Sequence, residues 1–414
     1  MRVPRAIALA LLLGSGTALA ETSSTLTLPE VFAAVRASHP ALVAATASTD
    51  AALARIEQEK ARADPRLGID LKRDNTRLAD YSELEVTVSQ EIPLSGRRLL
   101  RAAAARAEVG VAFAQARRRE WMLLNQARLA FVRLAAADER LAVNTRLHDN
   151  LVQTRLLARQ AYETGRNSRL DLLSLETELA TLDTERSELS GRRLQESAAL
   201  NALMIRPVET AVAPLTLPAP ALPALALPDA IALARAMSPD IAVAQKELDA
   251  AQARLAVVRK NRAIDPEFSV TGRKMQGMGG TFNSFDTGVA FSLPWANPGR
   301  TRAELTEARS RVTASRADAS AAEAEITGLV ASAHTRAATT FARIQRYQDE
   351  LLPLTRAAAE TARRDYETGR APLIAVLAAQ RMTLSTEQKL ADLRSEHALA
   401  SAELCFLTSR DLQP

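Results

Sequence analysis

One cysteine in 414 residues leaves no partner for a disulfide within the chain, and that residue, Cys405, sits close to the C-terminus. Aromatic residues make up 4% and there are only 15 glycines, both low for a compact enzyme. The four histidines, His39, His148, His334 and His397, are scattered, with no metal-ligand spacing among them or with Cys405. Gly277-Met278-Gly279-Gly280 lacks the Gly-Lys-Ser/Thr and the strand–loop–helix context of a phosphate loop. Nothing resembles a nucleophile elbow. The net charge of +5 is small for this length, and Arg and Glu alternate along helical faces, as solvated helix surfaces do and nucleic-acid sites do not. These absences argue against an enzyme and predict neither cofactor nor bound metal.

The N-terminus is read as an export signal over residues 1–20. Arg2 and Arg5 precede an apolar stretch, Ile7 to Leu13, and Ala18-Leu19-Ala20 forms a cleavage site. The stretch is too short to span a bilayer as a helix. No cysteine lies near the cut, so lipidation is not expected. Removing Arg2 and Arg5 leaves a net charge of +3.

What the sequence does contain is a duplication. Leu26-Thr27-Leu28-Pro29-Glu30 returns as Leu225-Ala226-Leu227-Pro228-Asp229, and Ser38-His39-Pro40 is matched by Met237-Ser238-Pro239. Asp64-Pro65 returns as Asp265-Pro266, Ile92-Pro93 as Leu293-Pro294, and Gly96-Arg97 as Gly299-Arg300. Tyr162-Glu163-Thr164-Gly165-Arg166 recurs letter for letter as Tyr366-Glu367-Thr368-Gly369-Arg370. The halves are residues 21–206 and 225–414, joined by a Pro-rich connector over 207–224, which is read as an extended strap.

Each half predicts two helices that open on prolines, two strands, a very long helix and a return helix. Arg97 to Thr164 contains no proline and one glycine, Gly110, which at 1.5 Å per residue gives a helix of roughly 100 Å. Leu172, Leu175, Leu179, Leu182 and Leu189 form a coiled-coil seam on the return helix, and Leu124, Phe131, Leu134 and Leu141 a seam on the outgoing one. In the second half the long helix is expected from Arg300 to Thr368, with a kink at Pro353, and the return from Leu373 to Leu407.

The strands are expected at Leu67–Asn75, Ser82–Glu91, Glu267–Met275 and Phe285–Leu293, within hairpins 67–91 and 267–293. They alternate cleanly. Leu67, Ile69, Leu71, Leu84, Val86, Val88, Phe268, Val270, Val289 and Phe291 form one face, and Asp70, Lys72, Glu85, Thr87, Thr271 and Arg273 lie on the other. About nine residues, apolar toward lipid and polar toward water, suit a strand of an outer-membrane barrel. Four strands cannot close a barrel, and open edges are not tolerated in lipid, so closure needs several copies of the chain. Residues 76–81 and 276–284 are expected as outward-facing loops.

With these features the chain resembles the TolC-type outer-membrane efflux family over essentially its whole mature length. The family's tip signature is matched at Tyr162, Gly165, Asp171 and Leu172, within tip 162–173, and at Tyr366, Gly369 and Leu377, within tip 366–377. The resemblance implies a mainly helical fold with a small β part, built as a homotrimer. Its twelve-stranded barrel would stand in outer-membrane lipid, with a helical tunnel through the periplasm. It further implies a periplasmic adaptor docked at the tips (Tyr162, Gly165, Arg166, Arg169, Asp171, Leu172, Tyr366, Gly369, Arg370, Leu377) and an inner-membrane pump as partners. No aspartate occurs in Leu373–Ala378, so an aspartate-ringed entrance is not expected. Gln90–Arg98 and Asp64-Pro65 look like the CzcC-like heavy-metal and cation efflux branch. The alternatives are a periplasmic adaptor, whose single hairpin sits between β-rich domains, and a structural coiled coil.

Overall fold

Prolines open most of the helices. In a computed structural model, which describes residues 26–74, 81–164, 168–277, 280–293 and 296–409, proline occupies the first turn of α1 (Leu28–Ser38), α2 (Pro40–Lys60), α5 (Leu227–Met237), α6 (Pro239–Lys260) and α7 (Pro298–Arg346). There its missing N–H costs nothing and its fixed φ suits the helix. The expected leader lies outside the described residues. Between these helices run β1 (Arg66–Asp74), β2 (Tyr81–Glu91), α3 (Arg97–Glu163) and α4 (Arg169–Leu203). The second half continues with β3 (Pro266–Gly277), β4 (Gly280–Phe291), α7, α8 (Leu352–Glu367) and α9 (Leu373–Thr408). Residues 207–226 form no helix or strand beyond turns, consistent with their prolines.

The 67 residues of α3 are one unbroken helix. Its counterpart is interrupted where Pro353 lies: a π turn, Tyr347–Leu351, separates α7 from α8, and the Leu352 N–H reaches back to the Tyr347 carbonyl. Proline cannot donate to the carbonyl four residues earlier, and a local change to i→i+5 bonding absorbs the mismatch.

All four strands form one antiparallel sheet in the order β1-β2-β3-β4, so the two halves meet at the β2–β3 pairing. The expected loop over 276–284 is corrected. β3 runs to Gly277 and β4 begins at Gly280, pairing Gln276 with Thr281 and Met275 with Phe282. Gly277, Gly279 and Gly280 suggest a longer loop, whereas the ladder continues through Thr281 to Asn283 because β3 offers each of them a partner. Where the sheet meets the helices, Asp265 accepts hydrogen bonds from the Ser95 N–H (2.8 Å) and hydroxyl (2.9 Å) and pairs with Arg97 at 3.2 Å. Gly96, with φ +74°, makes the left-handed turn into α3. The repeated Asp-Pro and Gly-Arg landmarks are thus two parts of one joint.

The expected seam on α3 divides. Leu124, Phe131 and Leu134 pack with Val31 and Val35 of α1, Leu200 of α4 and Leu215 of the connector. Leu141 is only half-buried. Nearer the tip, the α3 residues that pack on Leu175, Leu179 and Leu182 are Val143, Leu147 and Leu151. A straight helix drifts about 20° per heptad against a strict repeat, so one stripe cannot serve two partners along this length.

Polar side chains pin the connector. Asp138, buried, pairs with Arg193 of α4 and accepts from the Leu215 N–H at 2.8 Å; Arg193 in turn donates to the Val212 carbonyl at 2.8 Å. Asp138→Ala leaves the Leu215 N–H without its acceptor and the mostly buried Arg193 guanidinium without its carboxylate. It should destabilise the protein by about 3 kcal/mol, measured as a lower midpoint of unfolding in detergent.

Candidate functional site

The sheet is the first candidate. Direct partners across a ladder share a face, so Leu67, Val88 and Val270 stand in one row and Ile69, Val86, Gly272 and Phe285 in the next. Leu71 and Leu84 continue the face toward the β1–β2 turn, and Phe268, Val289 and Phe291 continue it toward the helices. All ten apolar residues expected on one face lie on it, and all are exposed. Phe285 joins them. It lies directly opposite Gly272, and its ring covers the space a Cβ would take. Sequence reading had Phe285 only as the start of a strand; its parity with Val289 and Phe291 was the available signal. At the outer end the face turns polar, at Lys274 and Asn283 and then Arg73, Ser82, Gln276 and Thr281.

The opposite face carries Lys72, Glu83, Glu85, Thr87, Arg273 and Asp286. Arg273 pairs with Glu83 at 2.7 Å and lies 3.6 Å from both Glu85 and Asp286, bridging three strands, and Lys72 lies 3.5 Å from Glu85. Thr87 and Thr271 hydroxyls hydrogen-bond at 3.0 Å. Along β2 this polar face is the less exposed one: Glu83 is 8% exposed while Val86 is 37%. The same alternation holds along most of β3. A flat bare sheet would expose both faces alike, so this sheet curls toward its polar side.

The helical tips are the second candidate. α8 ends in a Schellman turn: Gly369, φ +71°, donates to the Tyr366 carbonyl at 2.9 Å, and Arg370 N–H to the Asp365 carbonyl at 2.7 Å. In the first half Gly165 and Arg166 lie outside the described residues. There α4 starts with a capping box. The Asp171 carboxylate accepts from the Ser168 N–H at 3.1 Å, and the Ser168 hydroxyl accepts from the Asp171 N–H at 3.2 Å.

One apolar cluster joins both tips, combining Leu151, Ala158, Leu175 and Leu179 with Leu373, Val376 and Leu377. Leu172 and Tyr366 pack partly into it. Of the ten expected tip residues, Leu377 is therefore core and Asp171 a helix cap, while Tyr162, Arg169, Gly369 and Arg370 are exposed. Leu170, Leu173 and Ile374, which lie within the two expected tips but not among the ten expected contact residues, are exposed apolar neighbours of these turns. Leu170 and Leu173 fall off the Leu172–Leu175–Leu179 seam, a phase that could have singled them out. Above the tips a polar ladder ties the hairpins together: Arg381–Glu178 at 2.6 Å, Gln388–Glu185 at 2.8 Å and Arg140–Asp392 at 2.6 Å.

Three of the four histidines serve structure. His39 Nδ1 caps α2 by accepting from the Ala41 N–H, His334 donates to the Leu225 carbonyl just ahead of α5, and His397 donates to the connector carbonyl of Ala221. Burial pulls the His397 pKa below its ordinary value, against the opposing pull of the Ala221 carbonyl. Among the described residues no three His, Cys, Asp or Glu side chains gather as a metal site, and no helix is long and apolar enough to cross a membrane.

In sequence the chain matches the family described as outer membrane efflux protein, over residues 32–204 and 230–410, one segment on each side of the connector. A search of curated proteins finds no match. Among solved structures it is similar to the outer membrane protein VceC from Vibrio cholerae, with a TM-score of 0.76 at 18% identity over 92% of this chain and 95% of that one. The CmeC outer membrane channel of Campylobacter jejuni gives 0.74 at 15% identity over 99% and 93%. The open state of the MtrE outer membrane channel of Neisseria gonorrhoeae gives 0.76 at 18% over 94% and 91%. At these identities the likeness establishes the fold, and the family match, which spans most of both halves, establishes the membership: the chain belongs to the outer membrane efflux protein family.

Proposed function

We propose that the protein is the exit duct of a tripartite efflux system, a homotrimer whose four-stranded sheets close into one twelve-stranded barrel in the outer membrane. The observation that carries this reading is the two-faced sheet. Its apolar face is bare, its polar face curls inward, and β1 and β4 are edges with no strand partner among the described residues. Lipid tolerates neither an open edge nor a polar outer face, so the apolar residues Leu67, Ile69, Leu71, Val86, Val88, Phe268, Val270, Val289 and Phe291 face lipid once copies close the ring. The 11 residues of β2 are roughly 34 Å of strand, which at a tilt of about 40° spans about 26 Å, near the height of such a band.

The helical hairpins extend from the other end of the strands and form the periplasmic tunnel wall. A passive duct needs neither cofactor nor catalytic residue. Pump and adaptor supply the drive and the seal, with the adaptor on the exposed tip residues Tyr162, Arg169 and Arg370. The cargo is a metal ion or a drug-like molecule. Detergent-extracted protein from outer membranes should cross-link up to trimers and no further. A monodisperse monomer that keeps its strand signal would overturn the barrel.

A further inference from the structure

Resting on the trimeric reading, we propose that the seam between neighbouring copies has a defined register, in which β4 of one chain pairs with β1 of the next as β2 pairs with β3 within the chain. The warrant is the internal repeat. Asp64-Pro65 and Ile92-Pro93 both return 201 residues later, so β1 corresponds to β3 and β2 to β4 at one offset. The hairpin registers obey it: Leu67↔Val88 corresponds to Phe268↔Val289, and Ile69↔Val86 to Val270↔Thr287. The β2–β3 pairing is therefore a template for the missing one.

Carried over, Gln90↔Phe268 becomes Phe291 against Leu67 of the next copy, and Val88↔Val270 becomes Val289 against Ile69. In these two rows apolar residues meet apolar ones, and farther out Thr287 comes against Leu71 and Phe285 against Arg73, so the apolar face crosses the seam in the half nearer the helices. On the inner face Glu85↔Arg273 becomes Asp286 against Lys72, again an acid opposite a base. Nothing in the offset requires that complementarity, and a one-residue slip would set Asp286 against an outward-facing residue.

Exposure follows the same logic. At the internal seam the Glu85 and Arg273 side chains are 18% and 32% exposed, while their edge counterparts Asp286 and Lys72 are 56% and 62% exposed. Asp265 is buried against Ser95 and Arg97, yet its counterpart Asp64 is exposed, and so is Arg300, the counterpart of Arg97. Within one chain Asp64 leads into the β1 edge and Arg300 follows the β4 edge, so the joint at Asp265–Arg97 is rebuilt only when a second copy brings Asp64 to Arg300. The occupant of both edges is another copy of this chain. Three copies then give six equal steps round the axis.

The test is disulfide trapping in a Cys405→Ser background, since directly opposed strand residues lie close enough for a disulfide. Ile69→Cys with Val289→Cys should convert most outer-membrane protein into covalent dimers and trimers on mild oxidation. The slipped pairs Leu67→Cys with Val289→Cys and Leu71→Cys with Val289→Cys should give at least tenfold less. Stronger trapping by a slipped pair, or none in protein that sediments as a trimer, overturns the register and leaves the trimeric duct standing. Protein that is monomeric in the membrane fails the duct reading itself. Lys72→Glu should lower the temperature at which trimers dissociate, and adding Asp286→Lys should restore it. A double variant no better than the single one counts against the ion pair.

Discussion

Arginine in place of Val86 or Val270 should remove most of the protein from the outer membrane. Val86 stands between Ile69 and Gly272, and Val270 between Val88 and Thr287, near the middle of the bare apolar face. A charge near the bilayer midplane of a barrel costs about 2–4 kcal/mol, and a trimer carries it three times. Outer-membrane abundance, followed by immunoblot of fractionated cells, should fall at least tenfold. Arginine at Thr87 or Thr271 is the matched comparison. These hydroxyls meet at 3.0 Å on the curled polar face, where a guanidinium keeps its water. Trimers should assemble normally there, and the change should appear in single-channel conductance or ion selectivity. Equal tolerance on both faces would contradict the lipid-facing assignment of the apolar residues.

A second large effect is expected at the tips, where export should stop while assembly continues. At Gly369 an added Cβ meets no atom within 4 Å, so Gly369→Leu acts through its φ of +71° alone. A left-handed non-glycine residue costs about 1–2 kcal/mol, enough to reshape the turn and too little to unfold hairpins joined by the shared cluster. Gly165→Leu and charge reversal at Arg166 or Arg370 are expected to act alike. In these variants efflux-dependent resistance and adaptor pull-down should be lost, with trimers at normal abundance. If the double glycine variant retains both resistance and adaptor capture, the turns are helix ends and nothing more.

Legibility followed the range of the interaction. The α3 helix was visible because its causes are local: 67 residues with no proline and a single glycine. The strand faces were visible because the period of two is written into consecutive residues. Burial at the tips was not. Leu377 lies in the motif's sequence position but under the neighbouring hairpin, and Arg381–Glu178 and Gln388–Glu185 join residues 203 positions apart. A heptad pattern shows that a helix has a seam and leaves its partner unnamed. The start of β4 was misplaced for a related reason, since Thr281 to Asn283 owe their extended form to Gln276, Met275 and Lys274 across the ladder.

By itself the sequence determined the duplication, the proline-marked starts of the helices, the length of α3 and the two-faced character of the strands, all properties of neighbours along the chain. Only the tertiary structure decided that the two hairpins join at β2–β3, that the sheet curls toward Glu83 and Arg273, and that the repeated Asp-Pro and Gly-Arg pairs close on each other across the halves. These outcomes depend on which distant segment supplies the partner, and hydrogen bonds and ion pairs between distant segments take their energy from geometry that local pattern does not encode.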